Sequence, residues 1–345
     1  MHTLPPHRRL LLLTEGQLDV FTAKTAASLL RYRAADVVAV LDSAAGTDLR
    51  AVIPWAPPVP IIADVAEAAP LRPDALYVGI APVGGALPPE MRQHIRDALA
   101  TGLDIVSGLH QFLADDAEFA DLAARRGARL FDVRRPPTDR VVASTRARDT
   151  RCRRVLTVGT ECNVGKMVTA LELTAAARRA GRAAAFAATG QTGIMIAGRG
   201  VCVDACIADF AAGAVETLVL ADADADVCFI EGQGSIGHPG FSPVTLALLH
   251  GACPHALVLV HQLGRTHYRA PPFTPLPPWR DLIHAYEHTT ALVHPTRVVG
   301  VALNTVGHSD DDARAAAAAL EAELGLPVQD PIRDGCDRLL AAALA

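Results

Sequence analysis

Arg154-Val-Leu-Thr-Val158-Gly159-Thr160-Glu161-Cys162-Asn163-Val164-Gly165-Lys166-Met167 decides how the chain reads. An apolar run becomes a glycine-framed loop that ends in Gly-Lys, and an alanine-rich helical stretch follows. This is the order strand, phosphate-binding loop, helix. In such a loop backbone N–H groups and the positive end of the helix dipole cradle a polyphosphate, while the lysine ammonium reaches its outer oxygens. Composition points to the same residue. The chain of 345 residues has 30 arginines and only two lysines, Lys24 and Lys166. Lysine is kept where a compact ammonium differs from a planar guanidinium. Gly159, Thr160, Asn163, Val164, Gly165, Lys166 and Met167 are therefore the expected phosphate-binding set. Met167 brings no hydroxyl to the position after the lysine, so Thr169, two residues on, is the nearest candidate for a Mg²⁺ ligand.

Outward from this loop, the C-terminal half repeats strand, turn and helix. Cys228-Phe-Ile-Glu231-Gly-Gln233-Gly-Ser235 is an apolar strand ending in a carboxylate, where Glu231 can hold Mg²⁺ or accept a proton from a substrate amine. A solvated acid beside a tight glycine turn is the plainer alternative. Ala188-Thr-Gly-Gln191-Thr192-Gly193 is a second small-residue turn, followed by Asp204 and Asp209. Strand 256–260 leads to His261, Gln262 and Arg265, whose guanidinium suits a carboxylate. Strand 298–303 ends at Asn304, a candidate to read an adenine. His238 is a further acid–base candidate. Gln191, Thr192, Asp204, Gln233 and Arg265 form the expected substrate-binding set, and Lys166, Glu231 and His238 the catalytic one.

The N-terminal part alternates in the same way. Strands are expected at 10–14, 37–42, 75–80, 104–108 and 128–133, and helices at 23–32, 88–100 and 117–126. That is a Rossmann-like order, but no loop carries GxGxxG, so a dinucleotide site is not expected. The pattern lapses between Arg134 and Arg154. The chain is therefore expected to comprise a Rossmann-like domain over 1–140 and a P-loop, parallel-sheet domain over 150–345, both α/β. The Pro-rich run 271–278 reads as a loop or lid.

Half of the residues are hydrophobic, a fifth are charged and the net charge is −5. No basic field is present to hold nucleic acid or anionic lipid. Seven scattered cysteines without metal spacing read as reduced thiols, and no apolar run is long enough for a membrane helix, so a cytoplasmic protein is expected. Its alanine-rich faces suit a homo-oligomer.

Gly159 to Lys166 and the Glu231-Gly-x-Gly strand end resemble dethiobiotin synthetase, apart from Met167. More of the chain is similar to the DUF1611 family. The resemblance lies in Ala188-Thr-Gly-Gln-Thr-Gly193, Val203-Asp204-Ala205, Ala208-Asp209-Phe210, Phe229 to Ser235 with His238-Pro239, and Leu326-Pro327-Val328-x-Asp330-Pro331. That resemblance implies an N-terminal Rossmann-like domain joined to a P-loop domain. It also implies acetyl-CoA-dependent N-acetylation of an amino acid such as D-glutamate. In that scheme the loop grips the CoA phosphates and the glycine turns at 190–193 or 232–234 supply oxyanion N–H donors. An ATP- and Mg²⁺-dependent kinase or ligase of dethiobiotin synthetase type is the alternative for an amine or amino acid substrate, and a nucleotide-binding regulatory protein is a third reading.

Overall fold

The computed structural model describes residues 1–80, 82, 84–269 and 273–345. Part of the expected Pro-rich loop, residues 271 and 272, lies outside these. By contacts the chain divides into two compact units. One comprises residues 2–135 with 191–202, and the other residues 136–190 with 203–345.

The first unit is built on β1 (Leu10–Leu13), α1 (Lys24–Tyr32), β2 (Val37–Leu41), β3 (Ile61–Ile62), β4 (Ala75–Val78), α2 (Pro89–Ala100), β5 (Asp104–Ser107), α3 (Ala117–Arg126) and β6 (Leu130–Asp132). All strand pairs of its six-stranded sheet are parallel, in the order β3-β2-β1-β4-β5-β6. Leu10 to Leu13 are wholly buried because a strand with helices on both faces has no solvent side. This is the strand order of dinucleotide-binding sheets. The helix N-terminus that would receive a phosphate is closed here, since the Ala26 N–H at the start of α1 donates to Gly79 O at 2.8 Å. A methyl on Gly79 would lie 2.8 Å from Ala26 Cβ, so the two segments are in direct contact.

The second unit contains β7 (Arg153–Gly159), α4 (Lys166–Arg179), β8 (Ala184–Ala187), α6 (Ala208–Leu220), β9 (Val227–Ile230), α7 (Ser242–Ala252), β10 (Ala256–Gln262), α8 (Trp279–Ala291), β11 (Arg297–Asn304), α9 (Asp310–Leu324), β12 (Val328–Gln329) and α10 (Asp337–Leu344). Its sheet is also parallel, in the order β12-β11-β10-β7-β9-β8. The intervening helix α5 (Gln191–Ala197) belongs to the first unit, where Thr192 Oγ1 pairs with Thr25 Oγ1 at 2.9 Å and Met195 O accepts from Arg33. A single cut between 140 and 150 therefore misses one exchange of chain.

The stretch 136–150, which has no periodicity, is ordered by side chains it does not own. Buried Glu216 on α6 accepts the N–H groups of Ser144 and Arg146 at 3.1 and 2.7 Å. Gly213 lets the chain cross that helix, since a methyl there would meet Val141 O at 1.9 Å. Helix α6 starts at Ala208, beyond the substrate-binding candidate Asp204. Asp204 sits in a short 3₁₀ turn, Val203–Ala205, and Ile207 occupies the N-cap.

Candidate functional site

Strand β7 lies between β9 and β10, the kind of position in an open parallel sheet at whose carboxyl end ligands are bound. The loop 159–166 fills that position. Two residues turn it through left-handed backbone, Asn163 at φ 56° and Gly165 at φ 115°. Gly165 is the place where a side chain would be strained. Gly159 is required for another reason, because a methyl there would lie 2.8 Å from both Lys166 Nζ and Glu161 O.

Neighbouring segments hold the loop from outside. Tyr286 on α8 donates its hydroxyl to Gly159 O at 2.7 Å, and Ser235 donates to Thr160 O at 3.1 Å. The Thr160 hydroxyl pairs with His261 Nδ1 at 2.9 Å. Asn304 donates to Val164 O at 3.1 Å, and its own carbonyl accepts from Val306 N–H. Asn304 thus acts on the loop, a role that was not expected of it. Thr157 joins the two strand ends, donating to Lys166 O and accepting the Gly232 N–H at 3.0 Å. A methyl at Gly232 would fall 1.7 Å from Thr157 O.

Lys166 is 6% exposed and donates to Glu161 O at 2.7 Å. Burial lowers its pKa to about 8, against the opposing pull of Cys162, Glu161 and Glu231. Glu231 is also buried. Its Oε2 accepts from Thr189 N–H at 2.9 Å and Gly190 N–H at 3.1 Å. Burial raises its pKa to about 7 even though these amides and Gln233 favour the carboxylate; exposed Asp204 pushes the same way as burial. A lysine and a glutamate whose charges interact and whose environments bring both near neutrality are suited to anion binding and proton transfer.

A third group surrounds Glu161. Its Oε1 accepts the Cys162 N–H and its Oε2 the Arg269 N–H, each at 2.5 Å, and His238 Nε2 stands 3.9 Å from Oε1. Glu161, Cys162 and His238 are the one set of three or more His, Cys, Asp or Glu side chains close enough to share an ion, among the described residues. The ring chemistry argues against metal. Gly240 N–H donates to His238 Nδ1 at 3.0 Å, which puts the neutral ring's proton on Nε2 and leaves that nitrogen no lone pair. The same contact removes His238 from the role of proton acceptor expected of it.

Of the other expected residues, Gln233 joins Glu231 and donates to Thr189 Oγ1 at 3.2 Å. Arg265, half-buried, donates to Gln262 Oε1 at the end of β10. Thr169 is buried one turn into α4, and among the described residues Glu231 is in no cluster of three or more His, Cys, Asp or Glu side chains close enough to share an ion. Gln191 and Thr192 lie on α5, within the first unit. Glu161, Tyr268 and Tyr286 escaped the sequence reading. Glu161 was visible only as a loop letter, and the two tyrosines come from segments without any motif.

Fold and site together define an α/β protein that pairs a Rossmann-like unit with a P-loop unit. The family models for the DUF1611 N-terminal Rossmann-like domain and the DUF1611 C-terminal P-loop domain, both described as domains of unknown function, match residues 42–136 and 141–340. The chain belongs to the DUF1611 family. The crystal structure of a DUF1611 protein from Anabaena variabilis is 42% identical, covers 98% of this chain and 99% of its own, and superposes with a TM-score of 0.93. A Pseudoalteromonas protein named D-glutamate N-acetyltransferase is 39% identical over 80% of this chain and 83% of its own length. A Tritonibacter scottomollicae protein of the same name is 41% identical over 78% and 81%. No helix among the described residues is long and apolar enough to cross a membrane.

Proposed function

We propose that this protein transfers an acetyl group from acetyl-CoA to the amino group of an amino acid of the D-glutamate kind. The observation that carries the reading is the identity of about 40% with two relatives bearing that activity in their names, over some four-fifths of each chain. The site is chemically compatible. The 159–166 loop and Lys166 take the phosphates of the donor, and CoA offers a diphosphate and a ribose phosphate to such a loop. Glu231, with a pKa raised to about 7, accepts the proton from the substrate ammonium. The freed amine attacks the thioester carbonyl, the C–S bond breaks, and CoA leaves as a thiolate that is then protonated. Arg265 is the candidate for the substrate carboxylate.

Incubating the protein with acetyl-CoA and a panel of D- and L-amino acids, with free thiol as readout, tests this. Release of CoA dependent on an acidic D-amino acid is the expected result. No release with any amine would refute it.

A second reading, ATP-dependent phosphoryl transfer, draws on one observation: the charges of Glu231 and Lys166 interact at the mouth of the loop, the arrangement a Mg-nucleotide site uses. Met167 weighs against it. ADP release without CoA release would favour it.

A further inference from the structure

Helix α8 carries His284-Ala285-Tyr286-Glu287-His288, two histidines four positions apart with a glutamate between them. Residues at i and i+4 share one face of a helix. Here that face is the outer one, because Leu282, Tyr286 and Thr290 are the residues α8 buries, while Asp281, His284 and His288 are exposed. The two imidazoles stand together on it, ring centres 5.5 Å apart and planes 20° from parallel. Apart from each other, neither ring has a hydrogen-bond or ion-pair partner among the described residues.

Histidines at this spacing, with a glutamate beside one of them, are an arrangement in which helices hold zinc, since the two imidazoles reach one ion. Two imidazoles bound to one tetrahedral Zn²⁺, with Zn–N bonds of about 2.0–2.1 Å, have ring centres roughly 5 Å apart. The 5.5 Å found here is a small side-chain rotation from that, and exposed rings are free to make it. The surrounding charge does not oppose a cation. Exposed Asp281 lies one turn earlier on the same face, and Arg280 is turned to Glu323 O at 3.1 Å. In a zinc peptidase the glutamate of such a motif is the general base. Glu287 is committed elsewhere, its Oε1 accepting the Val298 N–H at 2.9 Å, so the motif keeps its ligands and not its base.

We propose that His284 and His288 bind a divalent transition-metal ion of the Zn²⁺ kind, with water completing its coordination. Two protein ligands, against the four of a closed structural site, make the affinity modest. Imidazole nitrogens select such ions over Mg²⁺, which prefers oxygen. The role of the site is to stabilise. It spans the turn whose inward residue, Tyr286, donates to Gly159 O at 2.7 Å and accepts the Ile236 N–H at 3.0 Å. An ion held across that turn from the solvent side favours its helical form and raises the stability of the folded chain by mass action. It touches neither the phosphate loop nor a ligand bound there.

The test titrates the full chain with Zn²⁺ and, separately, with Mg²⁺ by calorimetry, and follows its melting temperature in each ion and in EDTA. Zn²⁺ is expected to bind and to raise the melting temperature, and Mg²⁺ to do neither. His284→Gln and His288→Gln should each remove the rise and lower Zn²⁺ affinity at least about tenfold, since loss of a mere supporting partner of a metal ligand already costs about 10–100-fold. Both variants should melt with the wild type in EDTA, which shows that they fold. Cys162→Ser, which removes the loop thiol, and His267→Gln, which removes another exposed imidazole, should bind Zn²⁺ as the wild type does. Absence of Zn²⁺ binding, binding retained in both His284→Gln and His288→Gln, or binding lost in Cys162→Ser would each overturn the site. None of these readouts needs acetyl-CoA, so the metal site and the acetyl-transfer reading stand or fall separately.

Discussion

Lys166 Nζ is held 2.7 Å from the carbonyl of Glu161, inside the loop that the lysine itself closes. An arriving phosphate therefore competes with one backbone carbonyl for the ammonium, a neutral acceptor against a charged one. Hydrogen bonds to charged groups contribute about 1.5–3 kcal/mol. Lys166→Ala should accordingly weaken CoA or ADP by about 10- to 100-fold and remove most of the ligand-induced rise in melting temperature. Unchanged shifts would mean that the loop does not bind phosphate.

Two groups bound the working pH. Glu231, with its pKa raised to about 7, becomes an effective base as pH climbs through neutrality. Lys166, lowered to about 8, loses its charge just above. The rate should rise to near pH 7 and phosphate affinity fall past pH 8, giving a narrow bell in kcat/KM. Glu231→Gln should remove the acid limb and most of the rate. For stability the sign is opposite. A carboxyl whose folded pKa is raised favours the folded state most below its unfolded pKa of 4.5, and that contribution is lost as pH rises toward 7. Around neutral pH Glu231→Gln should therefore melt no lower than wild type, which calorimetry can check.

Met167 stands where a P-loop hydroxyl would meet Mg²⁺. Chelation with EDTA should leave CoA binding and acetyl transfer within about twofold, because loop amides and Lys166 need no metal to hold phosphate. Met167→Thr should make ADP binding respond to Mg²⁺. A wild-type protein inactive in EDTA and restored by Mg²⁺ would contradict this.

Gly213→Ala tests the ordering of the stretch 136–150. A methyl 1.9 Å from Val141 O forces the crossing chain off the helix. A loss of about 1–3 kcal/mol is expected, as for an overpacked core. Protease sensitivity should appear near Val141, even if α6 itself survives.

Most of this architecture was legible in the sequence because its signals are local. Strand β9 and helices α2 and α3 fall where periodicity and helix-start signals put them, and the loop could be read from two glycines and a lysine. What was missed depends on long-range contact. Helix α8, Trp279–Ala291, begins straight after a proline-rich run, and its Tyr286 reaches Gly159 across 127 positions of chain. Asn304 reads as a strand-end amide until Val164 O is brought to it, and only the Gly240 contact shows that His238 is a donor. Spacing cannot reveal which backbone amides are already spent, yet that decides where an oxyanion can be stabilised.

Helix α5 carries a consequence for biosynthesis. Residues 191–202 complete the first unit but follow β7, the phosphate loop, α4 and β8 in the chain. On the ribosome the first unit stays unfinished until its last segment has been translated, by which time the opening strand and helix of the second unit have already been made. A fragment ending at residue 135 would therefore lack helix α5 and leave the first unit incomplete.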